Sequence, residues 1–306
     1  MTQRALVASL ILVLVSPAIA DEPTSLPNHT IDRRLTGGIT GVATGLALVS
    51  QLIPIRSREL WNDEITEFDE RVRDNFSRRA AHLADGMLGL SIAAPAFYLT
   101  GTTIDDVDSD RLMIYGQSVA VNTLLAGVVK RLVQRPRPYM YSKDPTVQKY
   151  ARGEGDDAYL SFYSGHSAIG FGAATTGAYL LGASGASRWA RTAAWSGGFM
   201  VAAATANLRV RGGNHFYSDV VIGSVIGLAV GYAVPAMHAD GTPYRPSGEE
   251  VLAGAAGILG GIMLSSLLPL EKRTSELDRG TGRVHNVHLT AIPVAGGLGF
   301  GIGGGL

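Results

Sequence analysis

The sequence contains no cysteine among its 306 residues. A disulfide scaffold, a cysteine nucleophile, a thiolate zinc site and an iron–sulfur cluster are therefore excluded. Charged residues are also scarce, at 17% of the chain, and the 26 basic residues equal the 26 acidic ones. Because nucleic-acid-binding proteins normally carry a basic surplus, this balance gives no support to a nucleic-acid partner. Hydrophobic residues make up 46%, which excludes a disordered chain.

The first 20 residues have the pattern of an export signal. Arg4 gives a positive start, residues 5–15 are apolar, and Ala18-Ile19-Ala20 fits a cleavage site. We predict a signal peptide over residues 1–20. A short signal anchor that stays attached is the alternative.

Seven stretches without a charged residue follow along the chain. Each is close to the roughly 20 residues that an α-helix needs to cross a membrane, and none shows the polar face of a soluble helix. We predict an all-α membrane bundle of six helices within residues 35–238. Residues 250–306 would add an apolar helix, a polar linker and a short glycine-rich tail, and a soluble all-α bundle is the alternative. The stretches are 35–55, 86–104, 112–129, 167–187, 192–208, 220–237 and 251–270.

Two sets of glycines spaced four residues apart each form one ridge of a helix. Small residues at this spacing allow helices to approach closely in lipid, so we predict close helix contacts at Gly37, Gly41 and Gly45 and at Gly223, Gly227 and Gly231. Between the stretches, we expect a solvated amphipathic helix over 56–79 and a solvated turn over 105–110. The acidic residues of that turn lack the spacing of a calcium-binding loop.

Polar residues cluster at the ends of the stretches in three places. The first cluster runs from Lys130 to Pro138, where prolines end the preceding helix. Cations in such a segment commonly anchor a helix end or contact lipid headgroups. The second cluster is Ser164-Gly165-His166, directly before an apolar stretch. A helix N-terminus favours an anion, Ser164 can cap the helix, and Gly165 lets the backbone approach a ligand. A structural histidine bonded to a carbonyl is the alternative for His166.

The third cluster contains Arg209, His215 and Asp219. The spacing of four places His215 and Asp219 on one helix face. A carboxylate there can accept from one ring nitrogen and leave the other with a free lone pair, so the histidine can act as a nucleophile. A structural His–Asp pair is the alternative.

Together the three clusters contain the groups that metal-free phosphoryl transfer needs. Two histidines can act as nucleophile and general acid, and three cations can stabilise the phosphoryl oxygens. We predict no metal and no other cofactor.

The three patterns Lys130-x6-Arg137-Pro138, Ser164-Gly165-His166 and Arg209-x5-His215-x3-Asp219 resemble the signature motifs of the type 2 phosphatidic acid phosphatase (PAP2) superfamily, in the same order. The resemblance covers about residues 35–238. The sequence departs from the family pattern at Tyr163, where the family usually has Pro, and at Leu208, where it usually has Ser.

The resemblance implies that His215 is the nucleophile, Asp219 its orienting partner and His166 the general acid. The phosphate-binding residues that it implies are Lys130, Arg137, Ser164, Gly165 and Arg209; Arg137 rather than Arg135 has the family spacing. The implied activity is hydrolysis of a phosphate or diphosphate ester, with lipids favoured, through a phosphohistidine. A phosphotransferase, a vanadium-dependent haloperoxidase and a non-enzymatic helical bundle are the alternatives, and the sequence indicates neither the individual substrate nor the oligomeric state.

We expect the protein in a bacterial cell envelope with its site facing the periplasm, because an export signal is most simply explained by a site that works outside. After a cleaved signal, however, a membrane-crossing segment 35–55 would bring Lys130 to the cytoplasmic face. The expectation therefore requires that this segment does not cross, or that residues 1–20 are handled unusually.

Overall fold

Long α-helices make up most of the computed structural model, which describes residues 28–55, 65–73, 75–100, 106–270, 285–294 and 297–305. The predicted signal over 1–20 lies outside these residues. Seven long helices overlap the seven predicted stretches, so the all-α fold is confirmed. The helices are α1 (Arg33–Ser50), α2 (Glu67–Glu70), α3 (Arg78–Leu99), α4 (Asp106–Val133), α5 (Pro145–Gly153), α6 (Gly165–Ala183), α7 (Arg188–Arg211), α8 (Tyr217–Met237) and α9 (Gly248–Leu267).

Two small antiparallel ribbons accompany the helices. Strand β1 (Asn28–His29) pairs with β2 (Ala239–Asp240), and β3 (His285–Val294) pairs with β4 (Gly297–Gly305). The predicted glycine-rich tail is therefore one strand of a hairpin, in which Thr290 lies opposite Gly301.

Helix α6 lies at the centre of the bundle, and nearly all of its residues are buried. It contacts α3, α4, α7 and α8. Its sequence is rich in glycine, alanine and threonine, and small residues let four neighbours pack closely around one helix. This central position fixes the N-terminus of α6 among the ends of its neighbours.

The glycine ridge of α8 is confirmed as a close contact. A Cβ atom at any of its three glycines would lie within 3.0 Å of a backbone carbonyl oxygen of the chain from Ser164 to Gly172. The ridge predicted for α1 is wrong, because a Cβ atom at Gly41 or Gly45 would meet nothing within 4 Å. Helix α9 instead has a close ridge that we did not predict, at Gly257 and Gly261 against the backbone of α7.

Helix α1 runs parallel to α4 along most of its length. At one end, Nε of Arg33 lies 2.7 Å from a carboxylate oxygen of Asp110. At the other end, Arg131 donates to the carbonyl oxygen of Ile53 at 2.7 Å. The start of α1 therefore lies beside the start of α4, and both helices end on the same side of the bundle.

Two predictions for charged segments are wrong. The acidic run near residue 108 is the first turn of α4 rather than a solvated turn, and Asp108 is buried and paired with Arg111. Within the described part of segment 56–79, the only helices are the four residues of α2 and the start of α3 at Arg78. Asp69 and Val72 are buried there, so the part of the segment over residues 65–73 packs into the protein instead of forming a solvated helix.

Three helical stretches among the described residues are long and apolar enough to span a membrane. They are Asp108–Tyr141, which contains most of α4, and the helices α8 and α9. The outer face of α9 exposes large apolar side chains, including Leu252, Leu259 and Leu267. Central helix α6, which we predicted as a span, is enclosed by protein and carries glycines and threonines where a lipid-facing helix would carry large apolar residues. The three membrane-capable helices indicate that the protein is embedded in a membrane.

Candidate active site

The three sequence clusters come together at one end of the bundle. Lys130 lies in the last turn of α4, His166 in the first turn of α6 and Arg209 in the last turn of α7. His215 directly precedes α8, and Asp219 lies in its first turn. The backbone N–H of Ser164 donates to the carbonyl oxygen of Asp219 at 3.1 Å, which joins the second cluster to the third.

Ser164 caps helix α6, as predicted from the sequence. Its hydroxyl oxygen accepts from the backbone N–H of Ser167 at 3.3 Å. A Cβ atom added to Gly165 would lie 3.7 Å from the ammonium nitrogen of Lys130. The N-terminus of α6 therefore lies beside the ammonium group of Lys130, and both favour an anion there.

His215 is completely buried, and its two ring nitrogens have different surroundings. Nδ1 lies 2.7 Å from the backbone carbonyl oxygen of Ser161, whereas the nearest carboxylate oxygen of Asp219 is 3.8 Å away. The direct hydrogen bond to a carboxylate that we predicted is thus replaced by one to a carbonyl group. Because a carbonyl oxygen only accepts, the proton lies on Nδ1 and Nε2 carries the free lone pair.

The free nitrogen of His215 is surrounded by positive charge. Nε2 is buried and makes no hydrogen bond to any residue that the structure describes. Burial lowers the pKa of His215 well below 6.5, and the charges of Lys130, Arg137 and Arg209 lower it further. The imidazole is therefore neutral at physiological pH, as a nucleophile must be.

The three predicted phosphate-binding cations differ in their partners. Arg137 is held by Asp157, donating to its carboxylate at 2.8 Å and to its backbone oxygen at 2.9 Å. Arg209 donates to Asp85 at 3.1 Å, while its Nε is buried and unbonded within the described ranges. Lys130 has no hydrogen bond or ion pair to a described residue. The buried, unbonded Nε of Arg209 implies a missing acceptor, and a phosphoryl oxygen would supply one.

Asp85 also contacts the predicted general acid. Nε2 of His166 lies 2.8 Å from the carboxylate oxygen of Asp85 that accepts from Arg209. Burial and the charge of Arg209 lower the pKa of His166 to about 4, although the carboxylate of Asp85 opposes this shift. His166 is therefore neutral in the empty site, and a bound phosphate would favour its protonated form.

Sequence reasoning missed Asp85 and Asp157 as residues of this site. Asp85 lies 81 positions before His166, and Asp157 lies 20 positions after Arg137. The one signal for Asp85 was its place at the edge of the charge-free stretch 86–104, which marks a helix end and indicates no partner. Asp157 stood in a loop without a motif.

A further missed residue is Arg135, which we had set aside in favour of Arg137. Its guanidinium group lies 2.6 Å from Asp219 and 2.8 Å from Asp69, and all three residues are buried. Arg135 therefore contacts the carboxylate of Asp219, the proposed partner of His215. No group of three or more His, Asp or Glu side chains that could hold a metal occurs in the described part of the chain.

Residues 111–243 match the family model described as the PAP2 superfamily. The matched region includes all three motifs but neither Asp69 nor Asp85. Searches of curated proteins and of solved structures each gave no significant match.

Proposed function

Because the chain belongs to the PAP2 superfamily through residues 111–243, we propose that it is a metal-independent phosphatase that acts on a lipid phosphate or diphosphate. The observation that carries this proposal is the buried, unbonded Nε2 of His215, which lies within the field of Lys130, Arg137 and Arg209. A neutral nucleophile among cations suits an anionic phosphorus centre, whose charge would otherwise repel the attacking atom.

The proposed reaction has two steps. Nε2 of His215 attacks phosphorus and forms an N–P bond while the ester P–O bond breaks. His166, protonated in the complex with phosphate, donates its proton to the departing oxygen. Water then attacks the phosphohistidine, neutral His166 accepts a proton from it, and phosphate leaves with His215 restored.

Each predicted phosphate ligand has a place in this scheme. Lys130 has no competing partner among the described residues, so its ammonium group would bind a phosphoryl oxygen directly. Arg209 would use its unbonded Nε, and Arg137 would keep its orientation through Asp157. The cap of α6 at Ser164 and Gly165 would add the helix N-terminus as an anion site.

Lipid substrates are supported by the position of the site at one end of a bundle with membrane-capable helices. An amphiphile can reach such a site laterally, with its phosphate at the polar surface. The family suggests phosphatidic acid, phosphatidylglycerol phosphate, undecaprenyl diphosphate and lipid A phosphates as candidates. We propose a location in the bacterial envelope, with the site facing the periplasm.

The decisive experiment measures free phosphate released from a panel of these four lipids by the purified protein in detergent. We expect turnover of at least one lipid, its persistence in EDTA, and its loss in His215→Ala. Turnover that EDTA abolishes and one divalent metal restores would refute the metal-free mechanism. Full turnover by His215→Ala would refute the phosphohistidine.

A further inference from the structure

Arg135 joins two buried carboxylates, those of Asp219 and Asp69. One of its nitrogens donates to Asp219 at 2.6 Å and to the hydroxyl oxygen of Ser218 at 2.7 Å. The other donates to Asp69 at 2.8 Å. The guanidinium carbon also lies 4.1 Å from the centre of the Phe216 ring. A planar group with fixed donors is well suited to hold two carboxylates at once.

Asp219 connects this group to the proposed nucleophile. One of its carboxylate oxygens accepts from Arg135, and the other accepts from the Ser161 hydroxyl at 2.6 Å and the Phe216 N–H at 2.8 Å. Ser161 in turn provides the carbonyl oxygen that holds Nδ1 of His215 at 2.7 Å. The position of the imidazole therefore depends on Ser161, and the position of Ser161 depends on Asp219.

Asp69 completes the group from a segment outside the family match. Its carboxylate accepts from the backbone N–H of Ser218 at 3.0 Å and from the Ser218 hydroxyl at 2.5 Å. These bonds tie the segment 65–73 to the first turn of α8, directly beside Asp219. The negative charge of Asp69 also balances Arg135, which is only 3% exposed and could not remain buried without a counter-charge.

We infer that Arg135 and Asp69 are positioning residues for the proposed reaction, which hold Asp219 and Ser161 so that Nε2 of His215 points at phosphorus. This inference rests on the proposed function. We assign Arg135 no contact with phosphate, because two buried carboxylates, those of Asp219 and Asp69, already balance its charge. Arg137 and Arg209 are each paired with only one carboxylate of a described residue. The two arginines of the Arg135-Pro136-Arg137 segment thus have different roles. Arg135 positions Asp219, and Arg137 binds phosphate.

The test uses the full-length protein in detergent and the best lipid of the panel. The variants are Arg135→Gln, Asp69→Asn, Asp219→Asn and the double variant of Arg135 and Asp219. We measure kcat, KM and the inhibition constant of inorganic phosphate. Loss of positioning should lower kcat by up to about 100-fold, since a displacement of 1 Å can have an effect of this size. KM and phosphate inhibition should stay unchanged, because Lys130, Arg137 and Arg209 are intact.

The double variant measures whether the effects of Arg135 and Asp219 on kcat depend on each other, which a purely structural role would not require. If Arg135 acts through Asp219, Arg135→Gln should lower kcat strongly in the wild type and little in Asp219→Asn. The matched control is Arg191→Gln, which breaks the pair of a partly buried arginine with the buried carboxylate of Glu250 at 2.8 Å. This pair joins α7 to α9 away from the site, so its loss should leave kcat unchanged.

Several outcomes would overturn the inference. One is a kcat of Arg135→Gln or Asp69→Asn equal to that of the wild type. A second is a double variant in which the decreases in kcat of the two single variants add fully. A third is a weaker inhibition by phosphate that accounts for the loss of activity. If Arg135→Gln does not fold, the isosteric Asp69→Asn decides by the same criteria. A wild type without turnover would refute the proposed function as well, whereas an active wild type with unaffected variants would refute this inference alone.

Discussion

A carboxylate oxygen of Asp85 lies 2.8 Å from Nε2 of His166. The same oxygen accepts a hydrogen bond from Arg209 at 3.1 Å. The proposed general acid and a proposed phosphate ligand therefore share one acceptor. When phosphate binds Arg209, the charge of Asp85 remains available to stabilise a protonated imidazole, so substrate binding and protonation of His166 favour each other.

Replacing Asp85 with Asn should impair the general acid. General acid–base catalysis contributes about 10²–10⁴-fold to a rate, and Asp85→Asn should lose part of that factor. The loss should be larger for alkyl esters, whose leaving oxygen needs a proton, than for aryl phosphates. The control is Asp157→Asn, which removes a carboxylate that accepts from Arg137. An equal loss on both ester types would contradict a role for Asp85 in proton transfer.

The two histidines should respond differently to the leaving group. We expect His166→Ala to retain much of its turnover on an aryl phosphate and little on a lipid phosphate, because a good leaving group departs without a proton. His215→Ala should lose turnover on both, because it removes the attacking atom. Steady-state rates on the two substrates measure this difference. Equal sensitivity of the two variants to the leaving group would show that the roles are assigned wrongly.

The pH dependence of kcat/KM should reflect the lowered pKa values of both histidines. The pKa of His166 is lowered to about 4 and that of His215 lies well below 6.5, so both rings stay neutral in the free enzyme as the pH falls below 6.5. Activity should therefore decline on the acid side only near pH 4. Above about pH 6 it should decline because the substrate loses the proton that it brings to the complex. An acid limb centred at 6.5 would contradict the buried, cation-rich site.

Glycine substitutions should separate the close ridge of α8 from the open one of α1. Gly227→Ala places a Cβ atom against the backbone of Ala168, and such overpacking typically costs about 1–3 kcal/mol. Gly41→Ala meets nothing within 4 Å and should stabilise its helix by about 0.5–1 kcal/mol. Thermal unfolding in detergent compares the two variants. Equal unfolding temperatures would mean that α6 and α8 do not pack as described.

The helices were predictable because their signals are local, and a charge-free stretch of membrane length favours a helix. The cap at Ser164 was predictable for the same reason, since it needs only the residues of its own turn. The prediction that His215 and Asp219 share one helix face is wrong, because α8 begins only at Tyr217 and His215 precedes it.

The residues that hold the site were not predictable because their partners are distant in sequence. Asp69 stands in a segment with charges of both signs, which favoured a solvated helix, yet its carboxylate is buried against Arg135. The glycine spacing in α1 is the same as in α8, but only the α8 ridge meets a neighbour. Which ridge faces a partner depends on how the helices are arranged, and a spacing contains no information about that.

The parallel pairing of α1 with α4 has a consequence for how the protein is inserted. Because Arg33 lies beside Asp110 while Ile53 lies beside Arg131, the start of α1 and the candidate site are on opposite sides of any membrane that α4 crosses. Cleavage after Ala20 and a periplasmic site are then incompatible, because cleavage leaves Asp21 and the start of α1 outside. A purified protein whose N-terminal mass corresponds to a chain that begins at Asp21 would therefore place the site in the cytoplasm. A periplasmic site requires instead that residues 1–20 do not cross the membrane, so we expect no cleavage after Ala20, together with alkaline-phosphatase activity from a reporter inserted within residues 143–157.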